Sequence, residues 1–371
     1  MNEETSPDRL VRLALDYIKQ YSIQRSTPEG QKFEWYHSPA TPIQWDEFEA
    51  KAFCDLRSVE NPDIEDVCGV VDRSLMRLQD CHSLLSYPGY KRSINPDYVA
   101  RTDPRQAPEL TWAYHKKNWH QPIALRTQPT WDSAYTAPEA IYRDDILLLK
   151  VPHFYMGAGP EKREVYQNTL RDALLAGAAK SLRAVIVDLT VNYGGSMRPM
   201  LRGLSPLLGP QTLGYFAGAG GQTPWSVNYR QAEKDILATD DKRNFPLIDT
   251  PVAVLAGKDT CSSGEVVFLS LQGRPHTQSF GDNTAGKSSS NESIGLTPDR
   301  KLQMHICSET LLNRHHRGSG KGDRAKDGGP IPVDHFTNAP LDEALQWIRA
   351  GAPPLAPSSQ YPLGGNTGPR L

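Results

Sequence analysis

Residues 251–287 read PVAVLAGKDTCSSGEVVFLSLQGRPHTQSFGDNTAGK, and this stretch decides the fold. The run VAVLA at 252–256 is short, apolar and bounded by Pro251 and Gly257, so it predicts a buried strand. A turn of small residues follows, Asp259-Thr260-Cys261-Ser262-Ser263-Gly264. Glu265, Val266, Val267, Phe268 and Leu269 then begin a helix. A hydroxyl in such a turn sits over a helix N-terminus, where unpaired N–H groups and the helix dipole favour negative charge. A serine nucleophile and its oxyanion would be stabilised there. The same pattern also fits a plain N-cap at Ser262 or Ser263 with Glu265 in the first turn.

The chain has 371 residues, enough for one large domain or two ordinary ones. A net charge of −2 and 23% charged residues exclude charge-driven binding to nucleic acid or to an anionic membrane. No apolar run approaches the roughly 20 residues of a membrane span. The N-terminus, MNEETSPDRLVRLALDY, is acidic and then amphipathic, without the basic and apolar regions of a signal peptide. A cytoplasmic location is expected, with no membrane anchor. Five cysteines, Cys54, Cys68, Cys81, Cys261 and Cys307, are scattered and form no CxxC pair. They predict reduced thiols rather than a disulfide framework or a zinc site, and neither a metal nor another cofactor is expected.

Apolar residues at helical spacing predict helices over 8–22, 46–56 and 63–79. The third ends at Gln79-Asp80-Cys81-His82-Ser83, and a short strand follows over 84–87. Residues 88–143 are rich in Pro, Tyr, Trp and Arg and show weak periodicity. From Asp144 the pattern alternates: strand 145–151, helix 160–182, strand 183–189, helix 195–208, strand 252–256, the helix after Ser262, and strand 276–281. Two more strands are expected within 294–306, and a closing helix over 340–349. This order implies a sheet with helices on both faces and some antiparallel additions. The tail from Gly351 is rich in Pro, Gly and Ser and is expected to be disordered.

Three further places besides Ser262 carry candidate chemistry. The turn Thr190-Val191-Asn192-Tyr193-Gly194-Gly195-Ser196 follows a buried strand. Its paired glycines let backbone N–H groups approach a ligand closely, as in half of an oxyanion hole, or simply make a tight turn. His82 offers an imidazole, the usual base for a serine hydroxyl. Lys287, in Gly281-Asp282-Asn283-Thr284-Ala285-Gly286-Lys287, could serve as the base if desolvated. His305 and the pair His315-His316 lack spaced metal-ligand partners and read as surface residues.

These segments resemble peptidase family S41, the tail-specific or C-terminal processing serine peptidases. Asp188-Leu189-Thr190-Val191-Asn192-Tyr193-Gly194-Gly195 is similar to the family's D-L-R-x-N-x-G-G segment. Thr260-Cys261-Ser262-Ser263-Gly264-Glu265 is similar to its T-x-S-x-x-E segment, and Gly281 to Lys287 to its G-x-x-T-x-G-K segment. In lysine-dependent members the nucleophile precedes the lysine by 25 positions, and here 287 − 262 = 25, which selects Ser262 over Ser263. The closer resemblance is to the PDZ-less branch, that of nisin resistance proteins, in which a D-x-H-[ST] segment supplies a catalytic histidine. Asp80-Cys81-His82-Ser83 matches that segment. The interval from Ser83 to Asp144 (144 − 83 = 61) is too short for the family's usual PDZ domain. Thr190 and Val191 depart from the usual Arg and Gly.

The resemblance implies an α/β fold: an S41 peptidase-like (ClpP/crotonase-like) core sheet with flanking helices, an N-terminal helical subdomain and a cap. The expected boundaries are 1–82 for the helical subdomain, 83–143 for a cap or linker region, 144–350 for the catalytic core and 351–371 for the tail. It implies a serine peptidase-like hydrolase acting through a Ser262 acyl-enzyme, with His82 as the favoured base. Lys287 is the alternative base or a ligand for a substrate carboxylate. Gly194, Gly195 and Ser263 would supply the oxyanion hole, and Asp80, Glu265 or Asp323 would orient the base. The partner is a peptide or small acyl substrate. A non-peptide acyl hydrolase or transferase, and a non-catalytic binding module on the same fold, are the alternatives.

Overall fold

The computed structural model describes residues 5–22, 43–78, 82–88, 137–155, 158–218, 221–227, 245–318 and 329–352. Asp80, Asp323, most of the expected cap and nearly all of the expected tail lie outside the described residues.

The chain opens with three helices: α1 (Pro7–Tyr21), α2 (Trp45–Arg57) and α3 (Ile64–Arg77). Pro7 and Asp8 at the start of α1 and Lys19 at its end suit the helix dipole, and Leu10, Val11, Ala14, Leu15 and Ile18 form its buried stripe. Strand β1 (Leu84–Ser86) follows, then β2 (Glu139–Arg143) and β3 (Ile146–Lys150). Next come α4 (Gly159–Ala178), β4 (Ala184–Asp188), α5 (Met197–Gly203) and α6 (Ser205–Leu208). A hairpin, β5 (Gly214–Gly218) and β6 (Gly221–Trp225), precedes β7 (Val252–Ala256), α7 (Ser263–Gln272) and β8 (Thr277–Gly281). The chain then forms β9 (Ser289–Gly295), β10 (Gln303–Asn313), β11 (His335–Phe336) and α8 (Pro340–Arg349).

Two sheets result. The main sheet has the order β11-β8-β7-β4-β3-β2. It is parallel from β11 to β3, and β2 closes one edge antiparallel to β3. The strands β3, β4 and β7 are buried along their whole length, as expected for a parallel sheet covered on both faces. One face, with Leu147, Leu149, Val185, Val187, Val252 and Val254, packs with residues of α4, α5, α6 and α7. The other, with Leu148, Ile186, Ala253 and Leu255, packs with Leu341, Ala344, Trp347 and Ile348 of α8. The second sheet runs β1-β10-β5-β6, with β9 also on β10. Its Met304 and Ile306, with Leu85, Leu296 and Leu302, share a third core with α1, α2 and α3.

Two expectations need correction. The helix expected over 195–208 starts after Ser196 and is split into α5 and α6. Pro206 has no N–H to continue the ladder, and Gly209 then ends α6 at φ 72°. His305 is half-buried rather than at the surface, with its Nδ1 2.8 Å from Ser293 Oγ, whereas His315 and His316 are exposed. The two strands expected within 294–306 are present as β9 and β10, but longer and in the second sheet.

Candidate active site

Because β3, β4, β7 and β8 are parallel, their carboxyl ends and following turns open on one edge of the main sheet. Ligands of open α/β sheets bind at that edge. The turns are those at 151–155, 189–196, 257–262 and 282–288. They bring the two glycines, Ser262 and Lys287 into one neighbourhood.

Ser262 stands at the N-cap of α7 with φ 53° and ψ −120°. A side chain is strained there, so the turn holds its serine in a conformation that glycine would adopt freely. Hydrogen bonds lace this turn to the one after β4. The Cys261 N–H donates to the carbonyl of Asn192 at 3.0 Å, and Thr260 Oγ1 donates to the carbonyl of Leu189 at 2.8 Å. Asn192 is fully buried; its Nδ2 donates to the Val151 carbonyl at 2.9 Å, and its Oδ1 accepts the Gly194 N–H at 3.0 Å. A Cβ on Gly194 would lie 2.8 Å from the Cβ of Ser262, so the glycine pair abuts the serine directly. Ser263 Oγ donates to the carbonyl of Gly195 at 2.6 Å.

Among the described residues, the N–H groups of Gly195 and Ser263 have no hydrogen-bond acceptor, whereas that of Gly194 is taken by Asn192. The first two flank Ser262 and are available to a ligand.

Glu265 is fully buried behind the turn. Its Oε2 accepts the Ser262 N–H at 2.8 Å, and its Oε1 accepts Thr284 Oγ1 at 2.6 Å and the Gly286 N–H at 2.9 Å. Burial pushes its carboxyl up to about 7, against those three donors and the Lys287 charge. Lys287 is half-buried. His82 is buried beside β9: its Nδ1 lies 2.9 Å from Ser289 Oγ, and its carbonyl accepts Asn291 Nδ2 at 3.0 Å. Of the three carboxylates expected to orient the base, Asp80 and Asp323 lie outside the described residues, and these three bonds of Glu265 go to the Ser262 turn and the 284–286 loop.

Four side chains at this edge escaped the sequence reading. Tyr193 donates to Asp259 Oδ2 at 3.4 Å, and its ring lies 5.6 Å from that of His153. Burial raises Asp259 to about 6, and burial followed by the Lys150 charge lowers His153. His153 could have been suspected from its place three residues after β3, once β3 was read as parallel to β4. Ser289 gave no signal, because its link to His82 crosses most of the chain.

Among the described residues, no group of three or more His, Cys, Asp or Glu could hold a metal ion. No described helix is long and apolar enough to cross a membrane.

The carboxyl edge of the parallel sheet thus carries a strained serine at a strand-to-helix turn with a glycine pair against it. Residues 145–321 match the model of peptidase family S41. The chain is 30% identical over 217 residues to the nisin-resistance protein of Lactococcus lactis subsp. lactis, covering 58% of this chain and 64% of that relative, less than two thirds of its length. Among solved structures, a lipoprotein from Streptococcus agalactiae superposes with a TM-score of 0.64 at 21% identity, over 93% of this chain and 96% of that one. The photosystem II D1 C-terminal processing protease superposes with a TM-score of 0.52 at 13% identity, over 90% and 94%. Residues 145–321 are thus similar to peptidase family S41, and the chain spans less than two thirds of the length of the curated relative it matches.

Proposed function

We propose that the protein is a serine peptidase-like hydrolase that cleaves a peptide or amide bond through an acyl-enzyme on Ser262. The observation that carries this reading is the Ser262 turn itself. A strained serine lies against Gly194, and two unengaged N–H groups, of Gly195 and Ser263, flank it.

In the proposed cycle, His82 Nε2 takes the proton of Ser262 as Oγ attacks the substrate carbonyl. The Gly195 and Ser263 N–H groups hold the oxyanion, with Gly194 shaping the turn. The imidazolium then gives its proton to the leaving amine as the C–N bond breaks. Water, deprotonated by His82, attacks the ester, and Ser262 leaves with the proton returned to it. Glu265 acts as a positioning residue for the Ser262 backbone. Lys287, held near the Glu265 carboxylate, binds a substrate carboxylate. A Ser–Lys dyad is the second reading, favoured by the half-burial of Lys287 and its spacing from Ser262.

The helices α1 to α3 would form a wall beside this edge. A reducing compartment, the cytoplasm, fits the four described cysteines, which are free thiols. The lipoprotein among the structural neighbours argues for the cell envelope, and fractionation of the producing cell decides between them.

Intact-mass spectrometry after fluorophosphonate treatment tests the chemistry. The wild type should gain one adduct, and Ser262→Ala and His82→Ala should not, while Lys287→Ala should. Loss of labelling in Lys287→Ala with retention in His82→Ala would move the base to lysine. Labelling of Ser262→Ala would overturn the assignment. An enzyme that labels but hydrolyses small esters and no peptide would be the non-peptide acyl hydrolase.

A further inference from the structure

We propose that Ser289 is the residue that positions His82, in the place where many serine hydrolases use a carboxylate. This rests on the reading of His82 as the base for Ser262.

The argument begins with the ring. A neutral imidazole carries one proton, on Nδ1 or on Nε2, and the nitrogen without it is the base. Nδ1 of His82 lies 2.9 Å from Ser289 Oγ, and both side chains are buried, at 8% and 6% exposure. On the reading of His82 as the base, Nε2 is the nitrogen that takes the Ser262 proton, and it is basic only when Nδ1 holds a proton of its own. Ser289 Oγ must then accept Nδ1–H, which fixes both the tautomer and the ring plane.

The strand that carries Ser289 is built to hold it there. Ser289 and Asn291 are two apart on β9, so they share one face. Ser289 meets the His82 ring, and Asn291 Nδ2 meets the His82 carbonyl. Pairing of β9 with β10 shifts register between Cys307 and Glu309. Beside that irregularity the Cys307 N–H donates to Ser83 Oγ at 2.9 Å. Residues 84–86 then continue as β1 on β10. The histidine is thus pinned on its ring, on its carbonyl and through its neighbour, all by β9 and β10. Because β9 begins two residues after Lys287, the same segment joins this frame to the loop that Glu265 holds. A hydroxyl is a neutral acceptor and supports the imidazolium less than a carboxylate would. Its main contribution is orientation.

The test uses full-length protein labelled with ¹⁵N-histidine, with His82 assigned by comparison with His82→Gln. Long-range ¹H–¹⁵N spectra read which ring nitrogen is protonated, independently of any activity. The wild type should show Nδ1 protonated and Nε2 bare. Ser289→Ala should lose that preference, and its rate of fluorophosphonate acylation should fall about tenfold. Ser289→Thr, which keeps the hydroxyl, should recover both. A wild-type His82 protonated on Nε2 would overturn the proposal, as would a Ser289→Ala variant unchanged in spectrum and rate. If His82→Ala acylates as fast as the wild type, the base assignment fails instead, and the spectra still decide what Ser289 does to the ring.

Discussion

Ser262 and Glu265 are joined backbone to side chain: the Ser262 N–H donates to Glu265 Oε2 at 2.8 Å, while Oε1 reaches across to Thr284 and Gly286. One buried carboxylate therefore fixes the Ser262 turn to the loop that ends in Lys287. Its charge is costly. Burial raises the Glu265 carboxyl to about 7 from its ordinary 4.5, so between those values the folded chain binds more protons than the unfolded one. Stability contributed by this group is present in full below pH 4.5 and is lost as pH rises through 7. The loss is on the order of 3 kcal/mol.

Glu265→Gln removes this titration but sets an amide among three converging donors, and its oxygen can accept on one side only. The variant should lose fluorophosphonate acylation by about 10- to 100-fold through misplacement of Ser262. Its stability relative to the wild type should be more favourable at pH 8 than at pH 5, by a few kcal/mol. Urea denaturation at the two pH values measures the difference. An equal offset at both would show that Glu265 does not titrate in this range.

The φ of 53° at Ser262 predicts a trade between stability and activity at one residue. Strain of this kind costs about 1–3 kcal/mol. Ser262→Gly should be more stable than Ser262→Ala by about 1 kcal/mol, although neither can form an acyl-enzyme. Denaturant midpoints of the two variants, compared at equal slope, check this.

The glycine pair predicts a graded response. A Cβ on Gly195 would lie 1.9 Å from the Phe154 carbonyl oxygen, with φ at +96°, in the bridge that joins the turns after β3 and β4. On Gly194 its nearest contacts would be the Cys261 carbonyl and the Ser262 Cβ, both at 2.8 Å. Gly195→Ala should therefore cost more stability, about 3 kcal/mol or more, because backbone must move. Gly194→Ala should cost less stability and show its effect mainly as slowed acylation of Ser262. Thermal unfolding and labelling kinetics on the same samples separate the two.

Much of the main sheet was legible because β3, β4 and β7 are buried on both faces and so read as continuous apolar runs. The Ser262 turn was legible for a local reason: Glu265 three residues after the cap is a short-range pattern. The β5–β6 hairpin was not legible, since β6 is largely exposed and its GQTPW carries no alternation of apolar residues. The split between α5 and α6 is written in Pro206, which sits within an apolar run whose periodicity reads as one continuous helix. The partners of Glu265 at Thr284 and Gly286, and that of His82 at Ser289, come from the segment between β8 and the start of β9 meeting α7 and the segment before β1, a long-range placement that no local pattern in the chain encodes.

The same distinction governs Arg274, a residue that sequence alone would place on a surface. It follows α7 and is 5% exposed. Its guanidinium donates to the carbonyls of Leu207 at 3.0 Å, Leu247 at 3.2 Å, Ile248 at 2.6 Å and Thr250 at 3.0 Å, and to Thr277 Oγ1 at 2.8 Å. These bonds tie the end of α6, the turn into β7 and the start of β8 to one planar group. Arg274→Met fills the volume but strands four buried carbonyls, which should cost about 3 kcal/mol. Arg274→Lys keeps the charge without the fork and should recover only part of that. Arg274 lies at the far end of α7 from Ser262, about 15 Å along the helix. The acylation rate per folded molecule should therefore be unchanged in both variants. Denaturation curves give the first quantity, and fluorophosphonate labelling normalised to the folded fraction gives the second. A slowed rate in the folded fraction would mean that α7 transmits strain from its C-terminus to the nucleophile.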